Sequence, residues 1–167
     1  RVRSSAASDV YKRQLINRET DYMFPVFCLQ GYLNGLESGG LSYDPDLVRD
    51  WRYNDAKLSS FQHTLELMNL KNPPTAILLY TETAAGILQA LQQLNLKVPK
   101  DISLICYDDL EIAKTNNPPL TVMCPQANKA GERLVEMLME IFNGCPVEEL
   151  QEIWQVEMVQ RQSTGHI

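Results

Sequence analysis

"PTAILLYTETAAGILQALQQLNLKVPKDISLICYDD", residues 74 to 109, decides the fold. Ala76 to Tyr80 is a continuous apolar run of strand length, and Ser103 to Tyr107 is a second one. Between them Ile87, Leu88, Leu91 and Leu94 recur on one face of a helix, and Pro99 and Asp101 punctuate its exit. A strand, a helix and a strand with no hairpin signal describe two parallel strands joined by a crossover. Strands that are apolar at every position, rather than at alternate ones, imply helices covering both faces of the sheet.

The same alternation extends outward. Downstream, Asn116-Asn117-Pro118-Pro119 interrupts the chain and Leu120 to Met123 is a further strand. Asn128 to Phe142 is the clearest helix, with Leu134, Val135, Leu138, Ile141 and Phe142 in register and Asn143-Gly144 closing it. A final strand falls within Glu152 to Val159. Upstream, Phe27, Tyr32, Leu33 and Leu36 are spaced for a helix stopped by Gly39-Gly40. Asp44-Pro45 turns the chain into a strand over Leu47 to Arg52. Asn54 or Asp55 then caps a helix whose core stripe reads Leu58, Phe61, Leu65 and Met68. Leu15 to Pro25 carries no clear periodicity. The expected fold class is α/β, a parallel sheet sandwiched by helices.

Composition narrows the function classes. The chain has 167 residues, 44% hydrophobic and 22% charged, enough for one domain with a core. Its net charge of −6, with no Lys/Arg cluster, makes it a poor nucleic-acid partner on its own. No apolar run approaches the roughly 18 to 20 residues that span a bilayer. Cys28, Cys106, Cys124 and Cys145 form no CxxC pair, and His63 and His166 lie far apart, so clustered metal ligands are not expected. The cysteine pattern reads as that of a reducing compartment.

Ser4 to Gln14 reads as foreign to the rest of the chain, because SDVYKRQ is what a transposon-end sequencing adapter encodes in frame. Residues 1–14 are therefore expected to be an adapter-derived scar, and 15–167 a piece of a longer protein.

Ligands in an open parallel sheet bind beyond the carboxyl ends of the strands. Here those ends carry Tyr53-Asn54-Asp55, Thr81-Glu82-Thr83 and Asp108-Asp109, which parallel strands place on one edge. Each has a plainer reading, since Asp and Thr after a strand commonly cap the next helix for about 1 kcal/mol. A phosphate-accepting, magnesium-holding acid pair is excluded, because no Asp follows Asp109 to complete the constellation. The sequence contains no GxxxxGK[ST] phosphate loop, GxGxxG turn or GxSxG elbow, and neither His sits at a strand end. No enzyme, cofactor or metal site is expected.

Five segments in order carry a resemblance. "GYLNGL…DPDLV", "PPTAILLYTETAAGILQALQQLNLKVP", "VPKDISLICYDD", "PPLTVMCPQ" with "AGERLVEMLMEIFNG", and "RQSTG" together resemble the lactose-repressor/galactose-repressor (LacI/GalR) family of bacterial transcription regulators, over about 27–165. The resemblance implies a type I periplasmic-binding-protein-like effector domain. In such a domain two α/β subdomains close on a small ligand, a sugar or nucleobase, and change the geometry of a cytoplasmic dimer whose separate N-terminal heads bind operator DNA. It further implies that this chain is mostly the C-terminal subdomain, with about 119–144 belonging to the N-terminal one. Asp108, first of the family's doubled acid, is implied to accept hydrogen bonds from ligand hydroxyls, as an ionised carboxylate can. Thr81 and Glu82 replace the family's Asn-Asp pair, and Tyr53, Asn54 and Asp55 stand at another contributing strand end. Cys28 stands where the family has an Arg before its Gly-aromatic pair, which removes a fork-shaped donor and leaves the effector open. Ala84 to Leu94 and Ile112 to Leu120 correspond to surfaces that pack in the family's homodimer. An exported sugar-binding protein of a transport system, sharing the architecture, is the competing reading.

Overall fold

The computed structural model describes residues 13–18, 23–51 and 53–165, with side chains described for 26–51 and 54–165. Most of the adapter-like segment, the Tyr53 side chain and His166 fall outside these residues. Six strands form one sheet in the order β2-β1-β3-β4-β5-β6. They are β1 (Arg13–Arg18), β2 (Val48–Trp51), β3 (Ala76–Tyr80), β4 (Ser103–Tyr107), β5 (Thr121–Cys124) and β6 (Glu157–Val159). The first five run parallel, and β6 pairs antiparallel with β5. The expected parallel sheet is thus a mixed one, because the chain returns after a long excursion through its last helix.

Five helices accompany the sheet among the described residues: α1 (Met23–Ser38), α2 (Ala56–Met68), α3 (Ala84–Gln93), the short α4 (Glu111–Thr115) and α5 (Ala127–Phe142). Chain direction across the sheet reverses between the β1–α1–β2 unit and the β2–α2–β3–α3–β4 run. Right-handed crossovers therefore put α1 on one face and α2 with α3 on the other.

The two faces are covered unequally. Side chains alternate along a strand, so Ile77, Leu79, Leu104, Cys106 and Val122 point one way, and all are essentially fully buried. Ile87, Ala90 and Leu91 of α3 are buried as well, Ile87 and Leu91 in one cluster with these strand residues. Each large aliphatic side chain so buried contributes about 1.5–3 kcal/mol. On the opposite face Ala76, Leu78, Ser103, Ile105, Tyr107 and Met123 line an open groove of about 770 Å³ whose far wall is α1. The strands read as buried on both faces are half-covered on this one.

Two helix stripes, those of α2 and α3, differ from the expected pattern, and a third, that of α5, is uncovered. In α2 the buried residues are Ser60, Thr64 and Leu67, while Leu58 is 51% exposed. The reason is Gly86 in α3, whose missing side chain lets the helices approach until small polar residues fill the contact. In α3 the last residue of the expected stripe, Leu94, is exposed beyond the helix end. In α5 no residue is buried, and Leu134, Val135, Leu138 and Phe142 face outward from everything described. Its amphipathic stripe is real but lacks a cover here. Arg133 ties this helix to the returning segment, with Glu140 and Glu152 each 2.8 Å away.

The returning chain stitches itself into the sheet. Ser163 is fully buried, accepts from the Thr121 amide at 2.7 Å and donates to Leu104 O at 2.6 Å, while the Leu104 amide donates to Ser163 O at 2.8 Å. Residues 163–165 thereby run beside the first half of β4, where β5 has not yet begun.

Candidate functional site

The carboxyl ends of β2, β1, β3, β4 and β5 share one edge of the sheet. The strand order reverses between β1 and β3, the place where such sheets open a crevice. Each strand end breaks sharply. β3 passes into a 3-10 turn over Thr81–Thr83, and β4 stops at Asp108, whose φ of +77° takes the backbone out of the extended region. β2 is followed by a 3-10 turn over Tyr53–Asp55.

Asp108 and Glu82 come together at the ends of β4 and β3. The Asp108 carboxyl is pushed above the ordinary carboxylate range, first by partial burial and then by the negative charge of Glu82. Glu82 itself is exposed. Thr81 serves a different purpose from its neighbour. It is buried, and its hydroxyl lies 2.6 Å from Tyr107 O and 2.7 Å from Asp108 O, one proton shared between two carbonyls. Thr81 therefore fixes the backbone of Asp108 rather than facing the open edge.

Asp109, the second of the doubled acids, turns away from the first. Its Oδ1 is 2.7 Å from Arg161 Nη2, and its Oδ2 is 3.8 Å from Lys114 Nζ. The contact with Arg161 is a charge pair without an aligned hydrogen bond. It leaves Asp108 as the carboxylate not committed to a cation contact among the described residues.

Cys28 of α1 reaches the same region from the groove side. Its thiol lies against the Tyr80 phenol, whose pKa is strongly raised by burial and then by this neighbour, so that the ring stays un-ionised. Tyr107 beside it is raised as well, by burial and then by Asp108. Tyr80 stacks obliquely on both sides, its ring centroid 6.2 Å from Trp51 and 6.0 Å from Tyr107. Cys28 and Tyr107 line the apolar groove, whereas Asp108 and Glu82 do not.

Asn54 and Asp55 are exposed on the same edge, but β1 separates their strand from β3, a gap of about 10 Å at ordinary strand spacing. Asp55 precedes α2 without a side-chain cap. The structure thus gathers Cys28, Glu82 and Asp108 most closely, places Thr81 beneath them, and sets Asn54 and Asp55 at the margin. Sequence reasoning missed the aromatic row and Arg161. Tyr80 and Tyr107 were discoverable as the last residues of two strands in register, whereas nothing local to Asp109 signals Arg161.

Comparison with known proteins agrees with this architecture. Residues 27–164 match the family model of the periplasmic binding protein-like domain. The ribose operon repressor of Haemophilus influenzae is 32% identical over 114 residues, 67% of this chain and 33% of the relative. The HTH-type transcriptional repressor CytR of Escherichia coli K12 is 28% identical over 138 residues, 81% of this chain and 40% of the relative. The chain thus spans between a third and two-fifths of the length of these relatives. A solved regulatory protein of the LacI family from Chloroflexus aggregans superposes with a TM-score of 0.83 at 24% identity, covering 97% of this chain and 58% of the other. A mostly parallel sheet with its polar strand ends on one edge, together with the family match over residues 27–164, places the chain in the periplasmic binding protein-like family, with transcriptional repressors among its relatives.

Proposed function

We propose that this chain is the effector-sensing part of a cytoplasmic bacterial transcription regulator that binds DNA through a separate head. The observation that carries the reading is the pairing of Asp108 with Glu82 at the carboxyl ends of β4 and β3, one strand over from the β1/β3 reversal, in a chain whose relatives are named as repressors. A half-buried, ionised carboxylate with no cation contact among the described residues is a pure acceptor, suited to two adjacent hydroxyl or amino donors. Tyr107, the partly accessible end of the neighbouring aromatic row, offers a ring face of the type that sugars and nucleobases stack on. The effector is accordingly a small polar molecule of sugar or nucleobase class.

In this reading α5 belongs with a second subdomain contributed by another part of the full-length protein, a placement supported by its bare apolar stripe. Closure of the two subdomains on the effector would bias a homodimer between DNA-binding geometries. Among the described residues no helix is long and apolar enough to cross a membrane.

The test is a thermal-shift screen of pentoses, hexoses, nucleosides and purine bases against the full-length protein. One class should raise the melting temperature, and Asp108→Ala should remove most of that rise. No response to any class, or a response indifferent to Asp108→Ala, would overturn the reading. A secretory signal encoded upstream, in place of a helix-turn-helix, would transfer the same site to an exported binding protein.

A further inference from the structure

A doubled acid at the end of a buried strand needs two explanations, one for each carboxylate. Asp108 has φ +77°, a left-handed conformation in which a non-glycine residue persists only when its surroundings hold it. Three holds are visible. The Asp108 amide donates to Met123 O at 3.0 Å, the Thr81 hydroxyl sits against the Tyr107 and Asp108 carbonyls, and the next side chain, Asp109, is gripped by Arg161 at 2.7 Å.

Arg161 is itself a fixed post. Its Nη1 donates to Leu120 O at 2.9 Å and its amide to Thr121 Oγ1 at 3.0 Å, and the following Gln162 amide donates to Pro119 O at 3.1 Å. The Arg161 and Asp109 side chains are only 17% and 21% exposed, so water screens their attraction weakly. The guanidinium also neutralises one of two adjacent negative charges, leaving its neighbour to face the edge.

Resting on the reading of Asp108 as the effector's acceptor, we propose that Asp109 and Arg161 are positioning residues: an ion pair that touches no effector but sets the backbone from which Asp108 presents its carboxylate. The pair also ties that backbone to the segment leaving β6, so movement of the returning chain reaches the effector site through one guanidinium.

The experiment is residue-resolved amide hydrogen exchange on the ligand-free full-length protein, comparing wild type with Arg161→Gln and Asp109→Asn. The Asp108 amide should exchange at least roughly tenfold faster in either variant, while the Ile87 amide in the core of α3 stays at its wild-type rate. Asp109→Asn leaves the Arg161 bonds to Leu120 and Thr121 in place, so it carries the test if Arg161→Gln does not fold. In the double variant the two effects should fail to add, because they remove one interaction. Equal acceleration at Asp108 and Ile87 would mean a loss of overall stability only, and would overturn the proposal. So would an unchanged Asp108 amide, or strict additivity. No ligand enters this measurement, so its failure is separable from a failed effector screen with Asp108→Ala.

Discussion

Ser60 and Gly86 meet where α2 crosses α3: the Ser60 hydroxyl donates to Thr83 O at 3.0 Å and occupies the space a side chain on residue 86 would need. A Cβ there would overlap both Ser60 Oγ and the Lys57 carbonyl oxygen. The turn carrying Thr81 and Glu82 is thereby anchored from below through Thr83, so the helix crossing bears directly on the strand-end edge that holds Asp108 and Glu82.

Gly86→Ala tests the crossing. Alanine favours an isolated helix by about 1 kcal/mol, but here the backbone of α2 must move to admit the methyl group. Net destabilisation of about 1–3 kcal/mol is expected from overpacking. Denaturant midpoints measure it, and a stabilised variant would contradict the close approach.

Thr81→Val replaces the hydroxyl by a methyl of similar shape and leaves the Tyr107 and Asp108 carbonyls without their shared donor. A loss of about 1–3 kcal/mol is expected in denaturant melts, and Thr81→Ser should recover most of it. Equal loss in both variants would point to packing of the methyl group instead.

Asp108 makes a pH prediction with a definite sign. Its folded-state pKa lies above the unfolded value because burial and Glu82 disfavour the charge. The ionised group therefore destabilises the ligand-free fold above that raised pKa, and the penalty disappears as pH falls below the unfolded value. Asp108→Asn should accordingly raise the ligand-free melting temperature at neutral pH, with the gain vanishing below the ordinary carboxylate range. The same substitution should weaken the effector, the usual conflict between stability and a site prepared for a ligand.

Cys106 is fully buried, and burial pushes its thiol up to about 12. A thiol reagent at pH 8 should modify Cys28, Cys124 and Cys145, which are partly accessible, and spare Cys106 until denaturant is added. Rapid native labelling of all four would show that the sheet opens readily.

The α5 stripe predicts behaviour that depends on the length of chain expressed. A protein limited to 13–165 should self-associate through Leu134, Leu138 and Phe142, and lysines at these positions should shift it toward monomer in sedimentation. In the full-length protein the same three changes should destabilise if the proposed second subdomain packs on this stripe.

How much of this was written in the sequence depends on whether neighbours or the residues themselves decide. AILLY and SLICY are apolar enough to be strands wherever they are placed, and the polar residues ending them followed from parallel direction alone. RQLINR, by contrast, has no apolar run, so β1 exists by virtue of its ladders to β2 and β3. Periodicity found α5 as a helix with an apolar face, and the period reports a face and not what covers it. The α2 stripe was displaced by a glycine in another helix. At the site, Asp108 and Glu82 were legible as strand-end residues, whereas the inward turn of Thr81 and the grip of Arg161 on Asp109 depend on register between segments distant along the chain.

The Ser163 stitch bears on biosynthesis. The flank of β4 at Leu104 finds its partner only in a stretch translated 59 residues later. A nascent chain emerging from the ribosome therefore carries that edge unpaired until Ser163 has cleared the exit tunnel. During that interval the exposed strand is a natural handhold for chaperones, and its capture by the wrong neighbour is the hazard they forestall.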